Sequence, residues 1–342
     1  MQLLNTLYVT LPEAYLHLDN DTLRVEIGRE TRLRVPLHHL TGVVTFGHVN
    51  LSAPLMHRLA EEAITLTLLD THGRFKARLE GAQTGNILLR QAQHARAADP
   101  TFALSTARAC VAGKLKNCRQ VLLRGAREAK DESDRQALER GAADLAASLR
   151  ALPTTENLDA LRGTEGEAAR QYFACLNHLI RADQRPHFRF EGRTRRPPRD
   201  PVNALLSFLY TLITHDCRAA CEAAGLDPQL GFLHVVRPGR PALALDLVEE
   251  FRPFADRLVL SLINRKQVTP QDFKTYEGGA VLLEGDARRN VSVAYQERKQ
   301  EAMSHPLFEQ TIALGLLPLV QARLMARAIR QETAGYLPFT FR

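Results

Sequence analysis

Tryptophan is absent from this chain of 342 residues, and its five cysteines include no pair at the Cys-x-x-Cys spacing. Zinc sites built from such pairs are therefore excluded. The odd number of cysteines, without a regular spacing, also argues against a disulfide framework. We expect reduced cysteines that mostly occupy the protein core.

The chain also lacks long apolar runs. The longest, near Ile312 to Val320, is too short to span a bilayer and contains Pro318. The N-terminal residues show neither a basic region nor a long apolar stretch, so no secretory signal is expected. These absences predict a cytoplasmic protein without membrane contact.

Basic side chains outnumber acidic ones. The chain has 45 lysines and arginines against 38 aspartates and glutamates, which gives a formal net charge of +7. A positive balance favours a polyanionic partner such as nucleic acid. The length allows two domains or one large domain.

Two kinds of pattern divide the chain. Up to about residue 80, short alternating segments between turn residues predict β-strands and one short helix that Ser52 would cap. Beyond that, apolar residues recur at helical spacing, and a charged segment at 128–135 separates two helices of a predicted hairpin. The predicted fold class is α+β. A small N-terminal β-rich domain at residues 1–82 precedes a larger all-α C-terminal domain at residues 83–342.

The strongest chemical signal lies on a predicted helix that follows a Pro/Gly-marked turn. Leu243, Leu247 and Phe251 stand at i, i+4 and i+8, so they share one buried face. Pro253 is expected to end this helix.

Three carboxylates occupy another face of the same helix. Asp246, Glu249 and Glu250 stand at i, i+3 and i+4, and His234 precedes them at the start of the turn. Carboxylates beside an imidazole are suitable ligands for a divalent cation. The alternative is an ordinary solvated acidic face.

A second stretch, residues 161–173, carries another candidate carboxylate. Thr164 and Glu167 have the spacing of a capping box, which predicts that a helix starts there with Glu165 at its first position. The alternative role of Glu165 is a favourable interaction with the helix dipole. Gly166 costs about 0.5–1 kcal/mol relative to alanine in a helix. Such a cost suggests that another group approaches the backbone closely here.

Arginine is dense in two loops. Prolines stiffen the first loop, and Phe188 and Phe190 are interleaved with its charges. Arginine-rich loops with aromatic residues suit contacts with phosphates and bases, although a charge run is also typical of a solvated loop. The candidate DNA-binding residues are Arg189, Arg193, Arg195, Arg196, Arg199, Arg237 and Arg240.

The last residues of the chain form a short aromatic tail. Phe339 and Phe341 lie between Pro338 and Arg342. Burial of an aromatic side chain removes a large apolar surface from water. We expect the tail to dock, either on this chain or on a partner.

In combination, these stretches resemble one protein family. Residues 161–173, with Glu165-Gly166, are similar to the glutamate motif of the CRISPR-associated adaptation integrase, usually called Cas-one. Residues 195–207 resemble the start of that family's central helix, and His234 with residues 243–253 resembles its histidine and acidic motifs. The resemblance covers nearly the whole chain. The Arg-Pro-rich segment is most similar to the branch found in type I-C-like systems.

The resemblance implies a dimerisation domain and a metal site. In the family, the N-terminal β domain mediates homodimerisation and the helical domain holds one Mg²⁺ or Mn²⁺ ion. Carried over residue by residue, the ligands are Glu165, His234 and Glu249, and Asp246 matches an acidic position beside them. Some members use aspartate as the third ligand, so Asp246 and Glu250 stay open as alternatives to Glu249.

The resemblance also implies an activity and a partner. Family members are metal-dependent DNA endonucleases and integrases that act on double-stranded and branched DNA. With a small dimeric partner, Cas-two, they insert captured short DNA into the CRISPR array by attack of a 3′-hydroxyl on a repeat phosphodiester. The alternatives are a non-catalytic basic DNA-binding scaffold, a general metal-dependent nuclease and a helical assembly module.

Overall fold

The computed structural model describes residues 6–40, 42–70, 75–79, 81, 87–305, 307 and 311–341. The chain divides into two compact units, 1–84 with 284–297 and 85–283 with 298–342. The sequence pattern predicts 284–297 within the C-terminal domain because this stretch is helical. Its membership of the first unit depends on long-range contacts, such as the 3.0 Å hydrogen bond from Gln296 Nε2 to the Thr6 carbonyl.

The first unit is built on two four-stranded sheets. The strands are β1 (Thr6–Val9), β2 (Tyr15–Asp19), β3 (Thr22–Ile27), β4 (Glu30–Pro36), β5 (Gly42–Phe46), β6 (Asn50–Leu51), β7 (Thr65–Leu69) and β8 (Phe75–Leu79). One sheet has the order β1-β5-β7-β8, and only its β7–β8 pair is antiparallel. The other has the order β4-β3-β2-β6, with antiparallel pairs except between β2 and β6.

The core of the first unit combines alternate strand residues with one helix, α1 (Ala53–Glu61). Ser52 caps this helix as predicted, because its Oγ accepts a hydrogen bond from the Leu55 N–H at 3.3 Å. Leu16 and Leu23, from neighbouring strands, are fully buried with Leu55. Hydrophobic burial therefore holds this unit together.

The second unit is mainly helical. Its helices are α2 (Ile87–Ala98), α3 (Pro100–Glu128), α4 (Glu132–Ala151), α5 (Leu158–Ala174), α6 (Leu176–Leu179), α7 (Pro201–Ala223), α8 (Ala242–Asn264) and α10 (Leu317–Ile329), and α9 (Gly285–Gln300) begins in the first unit. Two small antiparallel sheets accompany them, β9 (Phe273–Thr275) with β10 (Val281–Leu283) and β11 (Ala302–Ser304) with β12 (Thr311–Ala313). The predicted α+β fold class is confirmed.

Helix α8 is the centre of the second unit. It packs against α3 and α7, and α3 in turn packs against α4 and α5. The α3–α4 hairpin matches the prediction, and α7 begins with an Asp200 cap and Pro201 at its first position. Burial of α8 on several sides brings its polar side chains into the interior.

Two sequence-based helix boundaries are wrong. Helix α5 starts at Leu158, because Asn157 Oδ1 accepts the Asp159 and Ala160 N–H groups at 3.1 and 2.9 Å. Thr164 donates instead to the Ala160 carbonyl, and Glu167 pairs with Arg170. Glu165 consequently lies inside a helix rather than at its start.

Helix α8 also continues through Pro253 to Asn264. A proline inside a helix has no N–H for the carbonyl four residues earlier, here that of Glu249, at a cost of about 3 kcal/mol or more. Burial of most side chains of α8 offsets this cost. Tertiary packing therefore outweighs the tendency of Pro253 to end the helix.

Two expectations from composition concern cysteines and membranes. All five cysteines are free and buried, as predicted. Within the described ranges, no helix has the length and apolar character needed to cross a bilayer.

Candidate metal and nucleic-acid site

Three helices bring a lysine and two carboxylates together in the second unit. Lys114 extends from α3, Glu165 from α5 and Glu249 from α8. The Lys114 ammonium contacts Glu165 Oε1 and lies 2.6 Å from Glu249 Oε2. The side chains of Lys114 and Glu249 are 9% and 4% exposed, whereas that of Glu165 is 25% exposed. Glu165 therefore forms the accessible side of the cluster.

Charge pairing compensates the burial of these groups. Burial opposes the charged form of Lys114, but Glu249 and Glu165 raise its pKa above the ordinary lysine value. Burial likewise opposes ionisation of Glu249, and Arg252 and Lys114 outweigh this effect and lower the pKa of the carboxyl group. Arg252 Nε donates to Glu249 Oε1 at 2.8 Å. The cluster is consequently charged, with the buried Lys114 and the partly buried Arg252 around Glu249.

His234 completes the site from the loop before α8. Its Nδ1 lies 2.8 Å from Asp246 Oδ1, and its Nε2 lies 3.8 Å from Glu249 Oε1. Because ionised aspartate is only an acceptor, the proton of a neutral imidazole belongs on Nδ1. The lone pair of Nε2 is therefore available on the side of Glu249.

Asp246 is fully occupied by donors from the histidine loop. Its Oδ2 accepts the Phe232 and Leu233 N–H groups at 2.6 and 3.0 Å, and its Oδ1 accepts the His234 N–H at 2.9 Å besides the imidazole. Gly231 allows this close approach, because a Cβ there would lie 2.6 Å from Asp246 Oδ2. Asp246 thus fixes the backbone and the side chain of His234 together.

Glu250 faces away from this cluster. Its Oε1 accepts the Tyr336 hydroxyl at 2.5 Å, and its Oε2 accepts the Phe339 N–H at 2.7 Å and Gln321 Nε2 at 3.0 Å. Burial raises its pKa to about 8. The expectation that the three carboxylates of α8 form one acidic face is therefore wrong, because all three are buried and Glu250 has partners that Asp246 and Glu249 do not contact.

The aromatic tail docks on its own chain. Phe339 is fully buried and stacks near Phe251 and Phe254, with ring centroids 6.2 and 5.9 Å apart. Asn117 of α3 donates to the carbonyls of Glu250 and Phe339 and accepts the Phe341 N–H at 3.0 Å. The tail therefore connects α3 with α8, the helices that carry Lys114 and Glu249.

The residues of the cluster fit a hard divalent cation. Glu249 Oε2 is buried, and its contact with Lys114 does not have hydrogen-bond geometry, so this oxygen has no hydrogen-bond partner among the described residues. Carboxylate oxygens and a neutral imidazole nitrogen are suitable donors for Mn²⁺ or Mg²⁺. In the arrangement seen here, no three His, Cys, Asp or Glu side chains of the described chain converge closely enough to hold the ion.

Comparison with known proteins identifies the family. Residues 7–297 match the family model described as CRISPR associated protein Cas1. The chain belongs to the Cas1 (Cas-one) family. A CRISPR-associated endonuclease Cas1 of Moorella thermoacetica is 50% identical over 341 residues, which cover 99% of each chain.

Solved Cas1 structures share the fold. A chain of the Cas6-RT-Cas1–Cas2 complex aligns with 99% of this protein and 36% of its own length, at 25% identity and a TM-score of 0.82. The CAS1 protein from Thermotoga maritima aligns over 96% of this chain and 97% of its own, at 21% identity and a TM-score of 0.80. At that level of identity, the likeness to the Thermotoga protein shows the fold alone.

The seven candidate DNA-binding arginines of this Cas1 chain lie in different environments. Burial and the nearby Arg237, Arg196 and Arg162 lower the pKa of Arg240, which indicates a basic cluster close to His234. Arg162 was not predicted, and its Nε donates to the Leu233 carbonyl at 2.8 Å. Exposed positions are occupied by Arg189, Arg195 and Arg199.

Arg193 is used within the fold. Its guanidinium donates to Asn203 Oδ1 and Ser207 Oγ at 2.6 and 3.1 Å and lies 5.3 Å from the centre of the Tyr210 ring. Burial lowers its pKa. The arginine-rich composition of the loop gave no means of separating this internally hydrogen-bonded residue from its exposed neighbours.

Sequence reasoning missed two supports of Glu249. Lys114 stands three residues after Val111 and four before Cys118, so helical periodicity places it on the buried face of α3. A charged residue on such a face was a usable signal. Asp256 is the second support, and it acts on Glu249 through Arg252. Its carboxylate accepts the hydroxyls of Tyr172 and Tyr210 at 3.0 and 2.6 Å.

Arg252 links Asp256 to the candidate ligand. Its guanidinium lies 4.6 Å from the centre of the Tyr210 ring while its Nε holds Glu249. Asp256 also attracts the charge of Arg252. This network therefore orients Glu249 through Arg252.

Proposed function

We propose that this chain is a metal-dependent DNA endonuclease and integrase of CRISPR adaptation. The observation that carries the proposal is that Lys114 contacts both Glu165 and Glu249, while the imidazole Nε2 of His234 lies 3.8 Å from Glu249 Oε1. A basic cluster lies beside these groups. Two carboxylates and one imidazole suit metal-assisted phosphoryl transfer. The nearby arginines suit a phosphodiester substrate.

Each residue of the site has a proposed role. Glu165, His234 and Glu249 hold the cation, and Asp246 orients His234 without being a ligand, because its oxygens already accept four N–H groups. Such a partner fixes the tautomer and the orientation of a ligating histidine. Bound Mg²⁺ or Mn²⁺ would supply Lewis-acid stabilisation of the phosphoryl group.

The basic cluster positions the DNA. Arg196, Arg237 and Arg240 contact backbone phosphates, and Arg162 supports the loop that carries His234. Phosphate contacts of this kind are strongly salt-dependent and carry little sequence information.

The proposed reaction is a transesterification. The 3′-hydroxyl of the captured fragment loses its proton and forms a new P–O bond to a repeat phosphate. The bond to the 3′-oxygen of the repeat strand breaks, and this leaving oxygen gains a proton to become a free 3′-hydroxyl. In the hydrolytic reaction, water takes the place of the hydroxyl.

The proposed partners follow the family. We infer a cytoplasmic homodimer, formed through the first unit, that binds double-stranded and branched DNA together with the small dimeric partner Cas-two. The Cas6-RT-Cas1–Cas2 complex, by its name, contains both Cas1 and Cas2, and this supports the choice of partner. The affinity of this chain for purified Cas-two, measured at physiological salt, tests this assignment.

A strand-transfer assay tests the activity. Native protein and the variants Glu165→Ala and His234→Ala are incubated with linear or branched DNA, in Mn²⁺ or in EDTA, and the strands are resolved on a denaturing gel. The matched controls are Glu167→Ala, an exposed carboxylate on the same helix, and His178→Ala, whose Nδ1 lies 2.7 Å from Asp134. We expect metal-dependent products from the native protein and both controls, and none from the two site variants, which should still bind DNA.

The product lengths separate the competing functions. Strands longer than the substrate indicate joining and favour an integrase, whereas progressive shortening alone indicates a general nuclease. DNA binding without any strand chemistry, also in the presence of Cas-two, would favour the scaffold. Activity of Glu165→Ala equal to that of the native protein would overturn the site assignment.

A further inference from the structure

Lys114 is the charged residue at the centre of the site that neither the sequence motifs nor the proposed ligand set explains. Its ammonium contacts Glu165 and lies 2.6 Å from Glu249, the two carboxylates that would hold the cation. The side chain comes from α3, whereas the candidate ligands come from α5, α8 and the loop before α8. A buried lysine is costly unless it is paired, so this position requires an explanation.

We propose that Lys114 is a positioning residue whose ammonium competes with the divalent cation for the space between Glu165 and Glu249. It holds the two carboxylates together and must move away when the cation binds. This inference rests on the proposed function, because it assumes that these carboxylates are metal ligands.

The geometry leaves little room for both cations. Carboxylate oxygens bind Mg²⁺ at about 2.0–2.1 Å, and the ammonium already lies 2.6 Å from Glu249 Oε2. An ammonium in that position would touch a bound divalent ion and repel it, because two cations so close together share no screening solvent. Binding of the divalent cation therefore replaces the Lys114 ammonium between the two carboxylates.

The fold supports such an exchange. Arg252 stays bound to Glu249 through Nε at 2.8 Å, so this carboxylate keeps one cationic partner when the lysine leaves. Glu165 is the more exposed ligand, and the Lys114 stem is long and flexible. The exchange needs a change of side-chain rotamers and no rearrangement of the helices.

Titration with Mn²⁺ tests the competition directly. The dissociation constant is measured by calorimetry for the native protein, Lys114→Met and Lys114→Arg, and melting temperatures are recorded in EDTA and in Mn²⁺. We expect Lys114→Met to bind Mn²⁺ at least tenfold more tightly, to melt at a lower temperature in EDTA, and to gain more stability from Mn²⁺. Lys114→Arg keeps the competing charge and should bind within about threefold of the native protein.

The matched control is Lys299→Met. Lys299 is also buried and lies 2.8 Å from Asp216, within the same unit but outside the site. Its replacement should lower the melting temperature and leave Mn²⁺ affinity unchanged. A purely structural role of Lys114 would give the same result for Lys114→Met, and unchanged or weaker Mn²⁺ binding by that variant overturns the proposal.

A second measurement uses the native protein and does not depend on folding of the variants. Lysines are acetylated with acetic anhydride in EDTA or in Mn²⁺, and peptide mass spectrometry quantifies modification at each position. Release of Lys114 predicts several-fold more modification in Mn²⁺, with Lys299 unchanged. Equal or lower modification of Lys114, in protein that binds Mn²⁺, contradicts the exchange. Failure of the native protein to bind Mn²⁺ would instead overturn the metal site of the proposed function.

Discussion

His234 Nδ1 lies 2.8 Å from Asp246 Oδ1, and the same oxygen accepts the backbone N–H of His234 at 2.9 Å. One carboxylate therefore fixes the position, the ring orientation and the tautomer of the histidine. The imidazole Nε2 is left facing Glu249. This arrangement makes the roles of the two acidic residues on α8 distinct, since Asp246 orients and Glu249 is available to bind.

Replacement of Asp246 by asparagine should weaken metal binding without removing a ligand. The amide can accept at one atom only, so backbone N–H groups of Phe232 and Leu233 lose an acceptor. We expect about 10–100-fold weaker Mn²⁺ binding and a loss of about 1–3 kcal/mol in the free energy of unfolding. Calorimetric titration and urea denaturation measure the two quantities.

The control for this change is Asp134→Asn. Asp134 lies 2.7 Å from His178 Nδ1 and also pairs with Arg185, away from the candidate ligands. It should lower stability but not Mn²⁺ affinity. Native Mn²⁺ affinity in Asp246→Asn would show that the imidazole does not depend on this carboxylate.

Helical spacing predicted much of the second unit, whereas the candidate ligands rest on a resemblance of motifs. The Asp200 cap with Pro201 and the amphipathic spacing of Leu243, Leu247 and Phe251 are local signals, and the structure contains both helices. Glu165, His234 and Glu249 came from a resemblance of motifs. In the fold, Lys114 contacts Glu165 and Glu249, and His234 Nε2 lies 3.8 Å from Glu249 Oε1.

What the sequence failed to predict depends on contacts between distant residues. Glu250 is adjacent to Glu249, but its partners are Tyr336 and Phe339, almost ninety positions away. Lys114 lies between carboxylates that are 51 positions or more from it along the chain. Pro253 is tolerated because its helix is buried by its neighbours. Local spacing places Lys114 on the buried face of α3 but does not identify its partners. The partners of Glu250 and the burial around Pro253 have no signal within one helical turn.

The aromatic tail should contribute strongly to the stability of the second unit. Phe339 is fully buried against Phe251 and Phe254, so Phe339→Ala should reduce the free energy of unfolding by about 3–5 kcal/mol. Urea denaturation measures the change. Leu337→Ala is the matched control because Leu337 is 50% exposed, and its effect should stay within about 0.5 kcal/mol. Equal effects of the two changes would mean that the tail does not dock in solution.

Asp256 should make stability depend on pH in a defined window. Burial raises its pKa to about 6 from an ordinary value of 3.8, although Tyr210 and Tyr172 donate to it. Between these values the folded chain keeps a proton that the unfolded chain has lost. The contribution of Asp256 is therefore complete below pH 3.8 and disappears as the pH rises through 6. The slope is at most about 1.4 kcal/mol per pH unit.

The measurement is a difference between two proteins. Urea denaturation at intervals from pH 4 to pH 7 is compared for the native chain and Asp256→Asn, which cannot titrate at this position. The free-energy advantage of the native protein should shrink as the pH rises through the window and then stay constant. An advantage that grows with pH would mean that the carboxyl group is ionised throughout, held by Arg252.

Gly166 and Gly163 provide a matched pair on the exposed side of α5. A Cβ at either position meets no atom within 4 Å, so alanine fits both without a clash. Each change to alanine should stabilise the folded protein by about 0.5–1 kcal/mol, because glycine is unfavourable inside a helix. Gly166 is adjacent to the candidate ligand Glu165, whereas Gly163 lies nearly one turn earlier.

The two alanine variants should differ in activity. If DNA approaches the helix backbone beside Glu165, the methyl group of Gly166→Ala obstructs it, and strand-transfer activity should fall at least tenfold while Mn²⁺ affinity stays native. Gly163→Ala should keep native activity. Parallel activity, Mn²⁺ and urea measurements separate these effects. Full activity of Gly166→Ala would show that the substrate does not need the bare backbone at this position. The stability cost of Gly166 would then not be explained by a contact with DNA.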